Sequence, residues 1–296
     1  MDRQKAKRIR IWTRLLGTLA IAWLLVIVFC LALAASAQAK LISPNAADQP
    51  SAQRMPQSAT TGITLDVPIL MYHQVGSYPG RYNVPRQVFE AQMAYLAQNG
   101  YTSVSIDQIA AALRGQGGLP PCPVAITFDA GYTSVYSNAV PILQQYGRYA
   151  TFYIVAGYIG MSRRFMNWNQ VRDLATDGMW IGSHSYNHPY LARLFRASLE
   201  HQIVDSKAKL ESELGISVTT FAYPFGSYSP AVMHAVTETG YVAALWTGYG
   251  SHQAEDRIYK MPRYAIYNWV SLRLFEAQLP KHRPNGSGAC SSMPQP

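Results

Sequence analysis

Between Val67 and Leu279, short runs of apolar and β-branched residues alternate with amphipathic stretches about seven times over, and no other feature of the chain limits its fold as strongly. "VPILMYH", "TSVSI", "PVAITF", "YATFYIV", "MWIGSH", "TTFAYPFG" and "YVAALWT" read as strands, because β-branched and aromatic residues suit a pleated, half-buried surface. Between them, "RQVFEAQMAYLAQNG" carries Phe89, Met93 and Leu96 at helical spacing before a glycine stop. "SVYSNAVPILQQYG", "NWNQVRDLATDG", "SLEHQIVDSKAKLESELG", "SPAVMHAVTETG" and the closing "SLRLFEAQL" read as helices in the same way. Repeated β-α units imply a parallel sheet with helices outside. No glycine-rich dinucleotide fingerprint follows a strand, and no repeat of fixed period is visible. The expected architecture is therefore α/β, a distorted (β/α) barrel of about seven units, closed or nearly so.

The flanks are of a different character. Net charge is +9, but Arg3, Lys5, Lys7, Arg8, Arg10 and Arg14 cluster at the start against Asp2 alone, and what remains is too weak and scattered for a nucleic-acid surface. Residues 1–14 read as a basic cytoplasmic tail. Leu15 to Ala35 carries no charge and is long enough to cross the ~30 Å hydrocarbon core of a bilayer, with its basic side held in the cytoplasm. A cleavable signal peptide is the competing reading, since Ala35-Ser36-Ala37 and Ala37-Gln38-Ala39 both have small residues at cleavage spacing. Either way the body of the protein is expected outside the cytoplasm, anchored in the cell membrane or secreted. Residues 36–66 are polar and without period, a flexible linker, and 281–296 read as a disordered tail. Cys122 and Cys290 can pair in an oxidising compartment, although nothing in the sequence brings them together, and no cysteine-based metal site is present.

In α/β barrels, chemistry gathers at the C-terminal ends of the strands. His73 ends the first strand, Asp129 ends "VAITFD", His184 another, and Tyr223 to Phe225 another, with Arg263 following "YKMP" near a further one. "GSHSYNHPYL" sets His184 and His188 four residues apart, so both imidazoles can face one cation; a hydrogen-bonded turn is the plainer alternative. His73 is equally readable as a strand-end histidine bonded to backbone. Trp168, at helical spacing with Val171 and Leu174, is equally readable as core.

"TFDAGY", "SHSYNH", "FAYPFG", "MNWNQVRDL" and "VPILMYHQV", in that arrangement, resemble the polysaccharide deacetylase (NodB homology) family, most closely the branch that acts on poly-N-acetylglucosamine. The resemblance spans residues 67–280 and implies a metal-dependent hydrolase that removes N-acetyl groups from an N-acetylated cell-surface polysaccharide, of poly-N-acetylglucosamine or peptidoglycan type. It implies a divalent metal, zinc first, with nickel or cobalt as alternatives, held by His184 and His188. By motif, Asp129 matches the catalytic base and His73 the general acid, whose ordinary pKa of about 6.5 suits proton exchange at neutral pH. The backbone N–H of Phe225, where the family usually has Tyr, matches the oxyanion donor. Trp168, Tyr223 and Pro224 match a sugar-facing wall. Arg263 falls either with the substrate-binding residues or behind Asp129 as its brace.

One position departs. Where the family carries a second aspartate, the third metal ligand, this chain has Ala130, which ligates nothing. Asn169 and Ala222 also depart, the latter where many members carry an arginine that braces the base. Two readings follow: an enzyme that binds its metal through the two histidines and a substitute oxygen, or a catalytically impaired, glycan-binding relative.

Overall fold

A computed structural model describes residues 62–279 of the chain. The segments read as basic tail, membrane-spanning or signal run and tail 281–296 lie outside the described residues, as does nearly all of the linker. No helix among the described residues is long and apolar enough to cross a membrane.

The strands are β1 (Thr64–Asp66), β2 (Ile69–Tyr72), β3 (Gln74–Val75), β4 (Asn83–Val84), β5 (Thr102–Ser103), β6 (Pro123–Asp129), β7 (Thr151–Ile154), β8 (Trp180–Ser183), β9 (Thr220–Ala222), β10 (Ala243–Leu245), β11 (His252–Ala254) and β12 (Tyr264–Ala265). The helices are α1 (Arg86–Gln98), α2 (Ile106–Leu113), α3 (Val140–Gln145), α4 (Trp168–Thr176), α5 (Arg196–Glu200), α6 (Ser206–Leu214), α7 (Pro230–Glu238) and α8 (Leu272–Ala277), with a π-helical turn over His201–Asp205 joining α5 to α6. The main sheet runs β10-β9-β8-β7-β6-β2-β12, with β5 pairing the first residues of β6. All its pairs are parallel. It curls into a half-barrel, short of the closed or nearly closed barrel expected, and a single parallel bridge, Leu245 to Met261, ties β10 to the chain just before β12.

The helix starts follow from side chains that satisfy the free N–H groups of a first turn. Ser105 with Gln108, and Asn167 with Gln170, form reciprocal capping boxes on α2 and α4, while Ser229 caps α7 ahead of a proline at its first position. The expected elements are all present, and further short pairs are added, β3 with β4 and β12 with β2 among them. Thr64–Asp66, read as the end of the linker, pairs antiparallel with β11.

Strand periodicity sorts the buried residues onto two faces. Leu70, Tyr72, Val124, Ile126, Phe128, Phe152, Ile154 and Phe221 face the helices in the larger core cluster. Ile69, Ala125, Tyr153, Ala222, Ala243 and Leu245 face inward in a smaller one. By the same alternation Thr127 and Asp129 fall on the inner face with Ala125. Cys122 is disulfide-bonded, and both other cysteines lie outside the described residues.

Candidate active site

Asp129 is the last residue of β6, 2% exposed, and delivered to the mouth of the half-barrel by a strand buried from Val124 onward. Two residues in left-handed conformation follow, Ala130 (φ 76°) and Gly131 (φ 75°). This turns the chain sharply away, and the Ala130 N–H is tied to the Tyr153 carbonyl at 2.9 Å. His73 directly follows β2 and His184 directly follows β8. Five non-glycine residues among those described have positive φ, and four of them sit at or beside this site: Ala130, Ser185, His188 and Phe225. Backbone strain of this kind concentrates where a structure over-determines functional groups.

The two imidazoles of the His184 loop converge. Their Nε2 atoms are 3.1 Å apart, and His184 Nε2 lies 3.8 Å from Asp129 Oδ2. His184 Nδ1–H donates to the Ala222 carbonyl at 2.7 Å, because a carbonyl can only accept. In the neutral ring that leaves Nε2 with a bare lone pair turned to its partner. His188 is fixed from its backbone, whose N–H donates to Ser185 Oγ, while the Asn187 N–H is held by the buried Gln202 side chain.

Behind Asp129 lies Arg263, 0% exposed. Its Nη1 and Nη2 donate to the two carboxylate oxygens at 2.8 Å each, a bidentate pair, and Nη1 also donates to Thr127 Oγ1. Burial pushes the Asp129 carboxyl up, but Arg263, helped by His184, outweighs it and holds the group well below the usual carboxylate range. Burial lowers His184 to about 3 and His73 to about 4, against the opposing pull of Asp129, and lowers His188 as well. The site is thus one ionised carboxylate, its guanidinium partner and three neutral imidazoles.

These groups open into a pocket of about 720 Å³, within the ~300–1,000 Å³ range usual for small-ligand sites. Its walls are aromatic. Tyr190 stacks on Phe225 with centroids 4.1 Å apart, Phe225 meets His188 edge-on, and Tyr82 lies against His73 at 4.4 Å. Arg81, Tyr132, Tyr158, Arg164, Phe165, Thr247 and Tyr267 complete the rim.

Five expectations change here. Arg263 is sealed beneath Asp129 and cannot contact substrate; it lies where a brace would. Tyr223 is fully buried with its hydroxyl donated to the Tyr259 carbonyl, because strand alternation after Phe221 and Ala222 sends it to the helix-facing side. Pro224 is buried beside it and outside the pocket lining. Trp168 opens α4, packs on the core under the Lys209 ammonium at 5.5 Å, and also misses the pocket. The wall is built instead from Tyr82, Tyr132, Tyr158, Tyr190, Phe225 and Tyr267. The only hint of it in sequence is Tyr-rich loops after strands, as in "GSYPGRYN". His73, expected to hold a proton at neutral pH, is neutral in the free protein, and its Nδ1 is buried without a partner.

Residues 116–244 match the polysaccharide deacetylase family. YxkH of Bacillus subtilis is 30% identical over 213 residues, covering 72% of this chain and 76% of that protein. The chain belongs to the polysaccharide deacetylase family. The poly-beta-1,6-N-acetyl-D-glucosamine N-deacetylase of Escherichia coli K12 is 26% identical over 241 residues, 67% of this chain but 35% of that enzyme, so the match reaches about a third of its length. The crystal structure of BC0361, a polysaccharide deacetylase from Bacillus cereus, superposes with a TM-score of 0.65 at 26% identity, covering 73% of this chain and 69% of that one.

Enzymes of this family are generally divalent-metal dependent, and the residues here fit such an ion in part. Two imidazole nitrogens that share one cation at about 2.0–2.1 Å and near a right angle stand about 3 Å apart, which is what the His184–His188 pair offers. A third protein ligand is missing. Ala130 has no donor atom, both Asp129 oxygens are engaged by Arg263, and the described residues contain no cluster of three His, Cys, Asp or Glu side chains arranged to hold a metal.

The buried imidazoles make a pH prediction. Their folded pKa values lie below the ordinary 6.5, so from about pH 6.5 down to 3 the unfolded chain binds more protons than the folded one. Stability is therefore full above that window and falls as pH falls through it, by about 2–5 kcal/mol for the enclosed His184. Asp129, also depressed, acts in the same direction below about pH 4. Thermal melts of chelator-treated protein should show a lower Tm at pH 4.5 than at pH 7. An unchanged Tm would mean the folded imidazoles are charged.

Proposed function

We propose that this chain removes N-acetyl groups from a cell-surface polysaccharide of poly-N-acetylglucosamine or peptidoglycan type, outside the cytoplasmic membrane. Family membership and the name of the Escherichia coli relative support the substrate class, and the uncharged run Leu15 to Ala35 supports the location. One observation carries the reading. An ionised carboxylate and two neutral imidazoles from a distant loop converge at the floor of an aromatic-walled pocket.

His184 and His188 would hold the divalent ion, zinc with nickel or cobalt as alternatives. When bound, such an ion polarises the acetamide carbonyl and acidifies water. The remaining work belongs to the chain. Asp129 is ionised at neutral pH and accepts the proton of the attacking water; Arg263 fixes its orientation through two hydrogen bonds. His73 starts neutral, so it serves as general acid only after taking up that proton, which it then gives to the departing amine. The Phe225 backbone, in left-handed conformation at the pocket edge, would present its N–H to the oxyanion. Flat aromatic faces such as Tyr190 and Phe225 receive the apolar side of a pyranose ring.

Acetate release from a β-linked N-acetylglucosamine oligosaccharide, with added zinc, nickel or cobalt, tests this directly. Release abolished by chelator, and reduced about 10²–10⁴-fold by Asp129→Asn, is the expected outcome. Ala130 favours a second reading, a glycan-binding domain with impaired catalysis. Retained oligosaccharide binding with no acetate under any of the three metals would establish that one instead.

A further inference from the structure

Among the described residues, Asp129 is the only acidic one lining the pocket, and its charge is spent on Arg263. Two further arginines line the same pocket, Arg81 and Arg164, and neither has a carboxylate within ion-pair distance among the described residues. Topology places them on either side of the reacting groups. β6, which bears Asp129, pairs with β2 on one side and β7 on the other; Arg81 stands in the connection after β2 and Arg164 in the connection after β7.

Both are held from behind. The Arg81 carbonyl accepts from the Asn268 N–H and the Arg164 carbonyl from the Thr133 N–H, each at 2.9 Å, and Phe165 forms a bridge with Tyr132. Each guanidinium rests on an aromatic ring, Arg81 Cζ at 4.8 Å from Tyr82 and Arg164 Cζ at 5.2 Å from Tyr132. Tyr82 is in turn the ring against His73. Arg81 Nη2 also donates to the Tyr82 hydroxyl at 3.0 Å, which uses one of its five N–H groups, and the planar fork of a guanidinium matches a carboxylate or phosphate. A neutral sugar uses neither charge.

We infer that the pocket selects N-acetylated glycans carrying an anionic substituent, carboxylate or phosphate, beside the acetamido-bearing residue, and that Arg81 and Arg164 read that charge. The inference rests on the proposed function and names the substrate class of that same site.

Calorimetric titration of the full chain separates the two. The probes are a neutral β-linked N-acetylglucosamine oligosaccharide, the same oligosaccharide with carboxylate ethers on alternate residues, and the same with phosphate esters. Binding of one or both anionic forms should be about tenfold tighter than the neutral form at low salt, and the ratio should shrink as salt rises. Whichever anionic arm shows the preference identifies the group read. Arg81→Gln and Arg164→Gln should each collapse the ratio toward one, and Arg81→Lys and Arg164→Lys, which keep the charge but lose the stacked planar fork, should restore only part of it. Equal binding of all three oligosaccharides with acetate released from the neutral one would overturn this inference alone. Glutamine variants that weaken all three probes equally would do the same. No binding of any probe would overturn the proposed function with it.

Discussion

Arg263→Met is expected to cost about 3–5 kcal/mol of stability, the largest effect of any single change at this site. The guanidinium is enclosed with a carboxylate that is itself 2% exposed, and each satisfies the other through two 2.8 Å hydrogen bonds. Removing the arginine leaves Asp129 buried, charged and unpaired, with Thr127 Oγ1 deprived of its donor. The carboxyl then escapes upward in pKa toward its neutral form, which also removes the base. Urea denaturation should show the midpoint falling sharply. The double variant Arg263→Met with Asp129→Leu should recover much of the loss, since an apolar pair of similar volume leaves no orphaned charge. A single variant within about 1 kcal/mol of the parent would mean that water reaches the pair.

Ala130→Asp is expected to tighten divalent-metal binding by at least about 100-fold. Losing even a residue that only supports a ligand costs about 10–100-fold in affinity, and a direct carboxylate ligand is worth more. The backbone is already suited to the change. At φ 76° alanine is out of place, whereas aspartate is several-fold more frequent in that region, so the fold should accept the substitution without loss. Ala130 lines the pocket with His184 and His188, so the new carboxylate enters the same space and supplies negative charge that two neutral imidazoles cannot. Titration with zinc, nickel and cobalt measures this without reference to turnover, and acetate release should rise in parallel. An unchanged affinity would show that a side chain at position 130 does not reach the imidazole pair.

The residues legible in sequence were those set by strand ends. His73, Asp129 and His184 each close an apolar run, and a parallel sheet carries all such ends to one edge, so their meeting followed from topology. His188 came with His184 through spacing. Tyr223 was misplaced although its parity was readable. In "TTFAYPFG" the alternation that turns Ala222 inward turns Tyr223 outward, although the motif by itself puts Tyr223 at the sugar-facing wall. Arg263 was ambiguous because its role depends on whether it points into or behind the site, which a lone arginine after "YKMP" does not declare. The Tyr-rich rim and the two arginines that lack a carboxylate partner among the described residues sit on loops, where position is set by contacts far away in sequence, such as Asn268 to Arg81. The β1–β11 pair escaped because three residues give too short a pattern to tell a strand from a tether.

Arg263 also settles what lies under the reaction. Its aliphatic stem and guanidinium plug the lumen of the half-barrel above Tyr153, whose ring lies 5.7 Å from Cζ. The pocket therefore ends on a floor of buried side chains. In so weakly screened a setting, charge that builds on a substrate oxygen is felt by nearby dipoles at several times its strength in bulk water. A relative with the same imidazoles but a leaky lumen would lose that amplification.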